Sequence, residues 1–316
     1  MSEPALLSVV VPVYNEEDVL ALMRERLDHV LSKLDVAAEV VLVDDGSRDR
    51  SQELMRSFVT ADPRYRLVVL SRNYGHQVAL TAGVDHAQGD AVVVLDADLQ
   101  DPPELIPEML AKWRKGYHVV YGERAARQGE SLAKQKTADW FYALIRLLSG
   151  VDIPRNVGDF RLMDRKVVDA LRRMPERSRF VRGLIAWAGF RQTPIMFERP
   201  PRAAGVTKYP WRKMSRFALD AVFAFSVVPL RLATGLGLLV TVVAVVEILR
   251  TLYYRFVVGG IVPGFSAIFI AVLVLGGFNL IFLGILGEYI GRLYVEAKAR
   301  PLYFIQELVS GVDERV

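Results

Sequence analysis

Between Leu232 and Gly287 the chain carries only three charged side chains, Glu247, Arg250 and Arg255, and this restricts its folding more than any other feature. Leu232 to Val246 is uncharged, reaching Leu249 if Glu247 is tolerated, and Phe256 to Gly287 holds no charge at all. A helix crossing the hydrocarbon core needs about 20 apolar residues at about 1.5 Å each. The second run is long enough and the first is adequate with its flank. Core helices of soluble proteins almost always show a polar face, and these runs have none. The segment 229–296 is therefore expected to hold two transmembrane helices, at about 229–250 and 262–287. The rest of the chain is about 28% charged, an ordinary density for a soluble domain. The positive mean hydropathy of +0.23 thus averages two unlike parts.

Basic residues set the expected orientation. Lys208, Arg212, Lys213, Arg216 and Arg231 precede the first run, and Arg292, Lys298 and Arg300 follow the second. Only Arg250 and Arg255 sit in the short connection, so the positive-inside rule puts both termini in the cytoplasm, 297–316 being a C-terminal tail. Leu6 to Val13 follows Glu3 rather than a basic segment, and is too short and β-branched for a signal peptide. Six basic and no acidic residues lie between Arg199 and Leu219, so the net charge of +4 is concentrated there. Such a stretch entering a span suits anionic headgroups or a lipid phosphate, although it would also serve simply to fix topology. Residues 210–228, with Trp211, Phe217, Phe223 and Phe225 beside the cations, read as an amphipathic juxtamembrane helix. The charge is too mild and too local for a nucleic-acid binder, and the absence of cysteine excludes disulfides, Cys-type zinc sites and Cys nucleophiles.

Before residue 210 the pattern alternates between short β-branched runs and helical periodicity. Leu7–Val13, Val40–Asp44, Leu67–Ser71, Ala91–Asp96, His118–Gly122, Phe160–Met163 and Pro194–Glu198 read as strands. Val19, Leu20, Met23, Leu27, Val30, Leu31 and Leu34 follow helical spacing. Further helices are expected near 49–61, 76–87, 103–115, 130–149, 166–173 and 181–188. This alternation predicts an α/β domain over residues 1–209: a Rossmann-like, mostly parallel sheet with helices on both faces. Ligands of such sheets bind at the carboxyl ends of the strands, where the polar clusters of this chain fall.

Asp96-Ala97-Asp98 ends one apolar strand and places two carboxylates where both can reach one point. Mg²⁺ or Mn²⁺ takes oxygen ligands of this kind, often one or two carboxylates plus substrate phosphates. With a diphosphate leaving group the metal would neutralise developing charge. Each carboxylate is also in a position to act as a helix cap. Neither a G-x-G-x-x-G after a strand nor a G-x-x-x-x-G-K-[ST] occurs, which removes support for dinucleotide oxidoreductases and P-loop NTPases. The four histidines show no ligand spacing.

Pro12-Val13-Tyr14-Asn15-Glu16, Asp44-Asp45-Gly46-Ser47, Arg72-Asn73-Tyr74-Gly75-His76-Gln77, Asp96 through Glu104 and Gly158-Asp159-Phe160-Arg161-Leu162 closely resemble family 2 glycosyltransferases. More narrowly the chain is similar to polyisoprenyl-phosphate glycosyltransferases of the dolichyl-phosphate mannose synthase and GtrB type, from about residue 6 to 300. The resemblance implies a GT-A fold and a bacterial-type inner-membrane enzyme. It would move a hexose such as glucose, from a nucleotide diphosphate sugar of UDP type, to polyprenyl (undecaprenyl) phosphate with inversion. By motif position, Pro12, Tyr14, Glu16 and Asp45 match nucleotide contacts, Asp45 reading the base. Asp96 would face ribose and metal, with Asp98 and Gln100 holding the Mg²⁺ or Mn²⁺. Arg202 and Lys208 match the basic loop over the phosphates, and Arg124 and Lys134 are further acceptor-phosphate candidates.

A lipid phosphate is already largely ionised near neutral pH, so Asp159 is expected either as base or as orienter of the acceptor, or as a partner of Arg155 or Arg161. Arg202 suits bidentate phosphate binding. Two other readings remain: a processive polysaccharide synthase, disfavoured by the lack of Q-x-x-R-W and by having only two spans, and a non-catalytic membrane-anchored binding module. Gly287-x-x-x-Gly291 and Gly276-Gly277 would permit homo-oligomeric helix contact, or equally packing within one chain.

Overall fold

A computed structural model describes residues 6–124, 157–177, 179–198, 228–253, 256–257 and 264–311. These fall into two compact units. The first comprises the chain up to Glu198 together with the segment from Pro301; the second comprises the described residues from Val228 to Arg300.

The first unit is built on eight strands: β1 (Leu6–Val13), β2 (Ala37–Asp44), β3 (Tyr65–Leu70), β4 (Ala91–Val94), β5 (Val119–Arg124), β6 (Val157–Asp164), β7 (Gln192–Phe197) and β8 (Ile305–Ser310). They form one sheet in the order β7-β5-β6-β4-β1-β2-β3-β8. The β1–β2, β1–β4, β2–β3 and β5–β7 pairs are parallel. Strand β6 runs antiparallel to β4 and β5, and β8 antiparallel to β3. The central strands are continuous runs of Val and Leu because both faces are covered, and Val9, Val10 and Val11 are fully buried.

Helices α1 (Leu20–Leu31), α2 (Ser51–Ala61), α3 (His76–His86), α4 (Ile106–Arg114), α5 (Arg165–Arg172) and α6 (Val181–Trp187) accompany these strands. Leu20, Met23, Leu27, Val30 and Leu31 form one buried stripe of α1, as their spacing predicts. Each such side chain contributes about 1.5–3 kcal/mol when fully buried. Helix α3 comes so close to the sheet that a Cβ on Gly83 would overlap the Val10 side chain. That contact fixes the start of α3, and with it His76 and Gln77, over the strand ends.

The expectation of a C-terminal tail over 297–316 is corrected by β8. Its backbone pairs with β3, Arg66 opposite Ser310 and Val68 opposite Leu308. Ser71 N donates to the Phe304 carbonyl at 2.9 Å, and the Arg56 guanidinium forks onto Glu307 at 2.8 and 2.6 Å. Tyr303 Oη donates to Asp85 at 2.9 Å. The strand escaped sequence reading because none of its side chains is buried. Its Ile-Gln-Glu-Leu-Val-Ser sequence leaves Leu308 exposed and is not an apolar run, and backbone hydrogen bonds carry the pairing.

The second unit contains α7 (Val228–Tyr253, 26 residues) and α8 (Phe265–Ala297, 33 residues). Val228–Tyr253 and Val274–Ala297 are each long and apolar enough to cross a membrane. Helix α8 runs ten residues past the expected end at 287, because Glu288 and Arg292 pair across one turn and nothing breaks the helix before Lys298. The helices expected near 130–149 and over 210–228 lie outside the described residues, as do Lys134, Arg202 and Lys208.

Candidate active site

The loops leaving β1 and β2 are tied together by their own polar residues. Asn15 N and Glu16 N donate to the Ser47 and Ser51 hydroxyls at 3.1 and 2.9 Å, and Arg48 N donates to Asn15 Oδ1 at 2.8 Å. These bonds hold Pro12, Tyr14 and Glu16 at the carboxyl end of β1, where Tyr14 is 43% exposed and presents its ring to solvent. Gly46 has φ +70°, and a Cβ there would stand 2.7 Å from Arg72 C and Asn73 N. The close approach brings the loop after β3 against the loop after β2.

Asp45 serves that same junction. Its two carboxylate oxygens accept backbone N–H groups of Tyr74 and Gly75 at 2.7 and 2.9 Å, and the residue is 3% exposed. Burial raises its pKa above the ordinary carboxylate value, against the lowering effect of the two N–H donors. The residue expected to read a base is thus first an anchor for the 72–77 loop.

Asp96, Asp98 and Gln100 follow β4. Leu99 has φ +59°, a turn in which Gln100 N donates to Asp98 Oδ1 at 3.1 Å. Asp96 Oδ1 is buried without a hydrogen bond, and His76 Nε2 stands 3.5 Å from it. Burial raises the pKa of Asp96, the neighbouring Asp159 and Asp98 charges add to the rise, and the His76 and Arg124 charges oppose it.

Asp159 lies on β6 and is 6% exposed. His76 Nε2 is 3.1 Å and Gln77 Nε2 2.8 Å from its Oδ2; Arg182 Nε is 3.1 Å and Arg161 Nη2 4.0 Å from its Oδ1. Burial would push this carboxyl up, but the His76 hydrogen bond and the Arg182 and Arg161 charges outweigh it and hold it well below the usual range. His76, in turn, is opposed by burial but pushed up to about 9 by the Asp159 hydrogen bond and the Asp96 and Asp159 charges. Arg161 is fully enclosed, and burial lowers it to about 10 although Asp159 opposes that shift. Its guanidinium donates to the Gly158 and Asp159 carbonyls at 2.7 and 3.2 Å.

Arg124, at the end of β5, stands 3.7 Å from Asp101 and packs over Gly158, so it borders the same cluster. The fold therefore gathers Asp96, Asp159 and Arg124 from three strand ends. It adds three groups to which sequence reading gave no role. His76 and Gln77 stand inside a quoted motif. Arg182 follows no strand and belongs to no motif, so nothing in the linear pattern marks it.

Acidic groups at the carboxyl ends of a mostly parallel sheet covered by helices are the architecture of a GT-A glycosyltransferase. The chain belongs to glycosyl transferase family 2, whose description matches residues 8–172, and it is an enzyme of that family. It is 47% identical to uncharacterized glycosyltransferases of Synechocystis sp., over 96% of this chain and 95% of that one, and of Bacillus subtilis, over 97% and 95%. It is 38% identical to a protein of Shigella phage SfII named bactoprenol glucosyl transferase, over 96% of this chain and 99% of that one.

Proposed function

We propose that the protein moves a hexose such as glucose from a nucleotide diphosphate sugar, of UDP type, to polyprenyl (undecaprenyl) phosphate at the cytoplasmic face of a bacterial-type inner membrane. The observation that carries this reading is the acidic cluster of Asp96 and Asp159, joined by His76 at the strand ends, in a chain that also holds two membrane-length apolar helices. The named activity of the phage relative supports the same acceptor.

In this reaction a lipid-phosphate oxygen attacks the anomeric carbon, the bond from that carbon to the diphosphate oxygen breaks, and the nucleoside diphosphate leaves with inversion. The phosphate arrives largely ionised, so it needs orientation more than deprotonation. Asp159 fits orientation, because a carboxylate held below its usual range accepts a proton poorly. Arg124, with Lys134, Arg202 and Lys208, would supply the positive charge that receives the lipid phosphate. Pro12, Tyr14 and Glu16 border the nucleotide.

The buried Asp96 oxygen without a hydrogen bond, beside Asp98, fits an oxygen-liganded divalent cation. Among the described residues no three His, Cys, Asp or Glu side chains converge as a ready-made cage. Asp96, Asp98 and Gln100, together with substrate phosphates, would hold Mg²⁺ or Mn²⁺. When bound, the cation neutralises charge on the departing diphosphate.

The return of the chain to the sheet at β8, after leaving it at β7, supports an even number of membrane crossings in between, and a two-helix hairpin with both termini cytoplasmic is the arrangement we propose. A Cβ added at Gly287 or Gly291 would meet nothing within 4 Å among the described residues, which leaves that part of α8 open to a second copy.

The test is transfer itself. Purified protein with radiolabelled UDP-glucose, polyprenyl phosphate and Mg²⁺ or Mn²⁺ is expected to yield labelled lipid. A panel of nucleotide sugars that gives no labelled lipid would sink the reading.

A further inference from the structure

Asp159 is held by residues from two helices far apart in sequence. Gln77, in the first turn of α3, donates from Nε2 to Asp159 Oδ2 at 2.8 Å, and its Oε1 accepts the backbone N–H of Val181, the first residue of α6, at 3.2 Å. One amide side chain therefore joins α3, β6 and α6. Arg182, the next residue of α6, places Nε 3.1 Å from Asp159 Oδ1 and donates from Nη1 to the Val157 carbonyl at 2.7 Å. It thus contacts β6 at Val157 and again two residues on. The two carboxylate oxygens are approached from different helices: Oδ2 accepts hydrogen bonds from α3, and Oδ1 faces the Arg182 charge of α6 without a hydrogen bond of its own.

We propose that Gln77 and Arg182 are positioning residues for glycosyl transfer, which set the rotamer and plane of the Asp159 carboxylate so that it can orient the acceptor phosphate. The proposal rests on the functional reading above. Neither residue reaches the reacting atoms; both act through Asp159. Helix α6 lies beyond the stretch matched to the family, residues 8–172, so this part of the site is supplied by a segment outside that match. An Arg suits the task because it can donate to the Val157 carbonyl while its delocalised charge stands beside the Asp159 carboxylate, which a Lys cannot do with one nitrogen in the same geometry. A Gln suits its own because an amide can donate to the carboxylate while accepting from the helix N–H. Were the two residues mere glue between helices, their loss would lower stability and leave turnover per folded molecule unchanged.

A double-mutant cycle separates these cases. Wild type, Gln77→Ala, Asp159→Asn and the double variant are assayed as full-length protein in detergent or vesicles, with labelled nucleotide sugar and polyprenyl phosphate. Thermal unfolding is recorded for each. We expect Gln77→Ala to lower kcat by about 10- to 100-fold, with the KM for nucleotide sugar changed less than about threefold. In the Asp159→Asn background the same substitution should cost less than about twofold, because the group it positions is gone. Arg182→Lys keeps the charge and the fold and should lose kcat to an intermediate extent, again only when Asp159 is present. Losses that multiply in the double variant, or a rise in donor KM with kcat intact, would overturn the positioning role. Wild-type protein that transfers no sugar would overturn both this role and the functional reading, whereas active wild type with multiplying losses would overturn this role alone.

Discussion

His76 Nε2 lies 3.1 Å from Asp159 Oδ2, and this contact joins the first turn of α3 to β6 across the carboxyl edge of the sheet. The same nitrogen is 3.5 Å from Asp96 Oδ1, so the imidazole lies close to two carboxylates that would otherwise repel.

The folded-state pKa of His76 is raised from 6.5 to about 9. The stability it contributes is therefore fully present below pH 6.5 and is lost as pH rises through about 9. In metal-free buffer, wild type should lose stability relative to His76→Gln across that interval, as read by denaturant unfolding. A difference between the two proteins that stays flat with pH would contradict the arrangement.

Asp98→Asn should reduce metal-dependent transfer by about 100-fold or more, the order expected when a preorganised electrostatic contact is lost. Unfolding temperature in chelator should hardly change. Activity that survives the substitution at all Mg²⁺ and Mn²⁺ concentrations would take Asp98 out of the cation site.

Gly46→Ala combines a left-handed backbone with a Cβ 2.7 Å from the backbone of Arg72 and Asn73. A cost of about 1–3 kcal/mol is expected from strain alone, together with a weaker grip on nucleotide as the 72–77 loop is pushed aside. Calorimetric titration with UDP reads the second effect. Unaltered stability and UDP affinity would mean that the loops separate freely.

Deleting residues 301–316 uncovers the β3 edge and its ladder groups, and should cost more than about 2 kcal/mol and promote association between sheet edges. Arg56→Ala removes only a half-exposed ion pair with Glu307 and should cost about 0–1 kcal/mol. Unfolding midpoints and light scattering compare the two. A truncated chain as stable as wild type would show that β8 is dispensable.

The chain has no cysteine, so single thiols can be introduced as reporters of sidedness. In inverted vesicles, Ser310→Cys and Glu25→Cys should react alike with an impermeant maleimide. Reaction of one and protection of the other would overturn the proposed even number of crossings.

Strands β1 to β6 were legible because their residues are largely buried on both faces, and burial writes itself into sequence as runs such as Val92-Val93-Val94, whereas the edge strand β7 shows itself by buried Ile195 and Phe197 alternating with exposed Pro194 and Met196. The acidic strand ends were legible as positions, since each carboxylate directly follows such an apolar run, although a helix cap would leave the same pattern. Strand β8 was not, because an edge strand is held by backbone pairing with β3, which imposes little on side chains. The anchoring role of Asp45 was not legible, because its partners are backbone N–H groups that any residues at 74 and 75 would supply.

Composition and periodicity by themselves determined a charged α/β domain, two membrane-length helices and acidic groups at the strand ends. Those properties depend on solvent transfer and local geometry, which act residue by residue. Only the tertiary structure decided that Asp159 is clamped by Gln77 and Arg182, that His76 bridges it to Asp96, and that the chain returns after the second apolar helix to complete the sheet. Each of these depends on which distant segments come within hydrogen-bond or ion-pair reach, which is set by the packing of α3, β6 and α6 and by the free edge of β3.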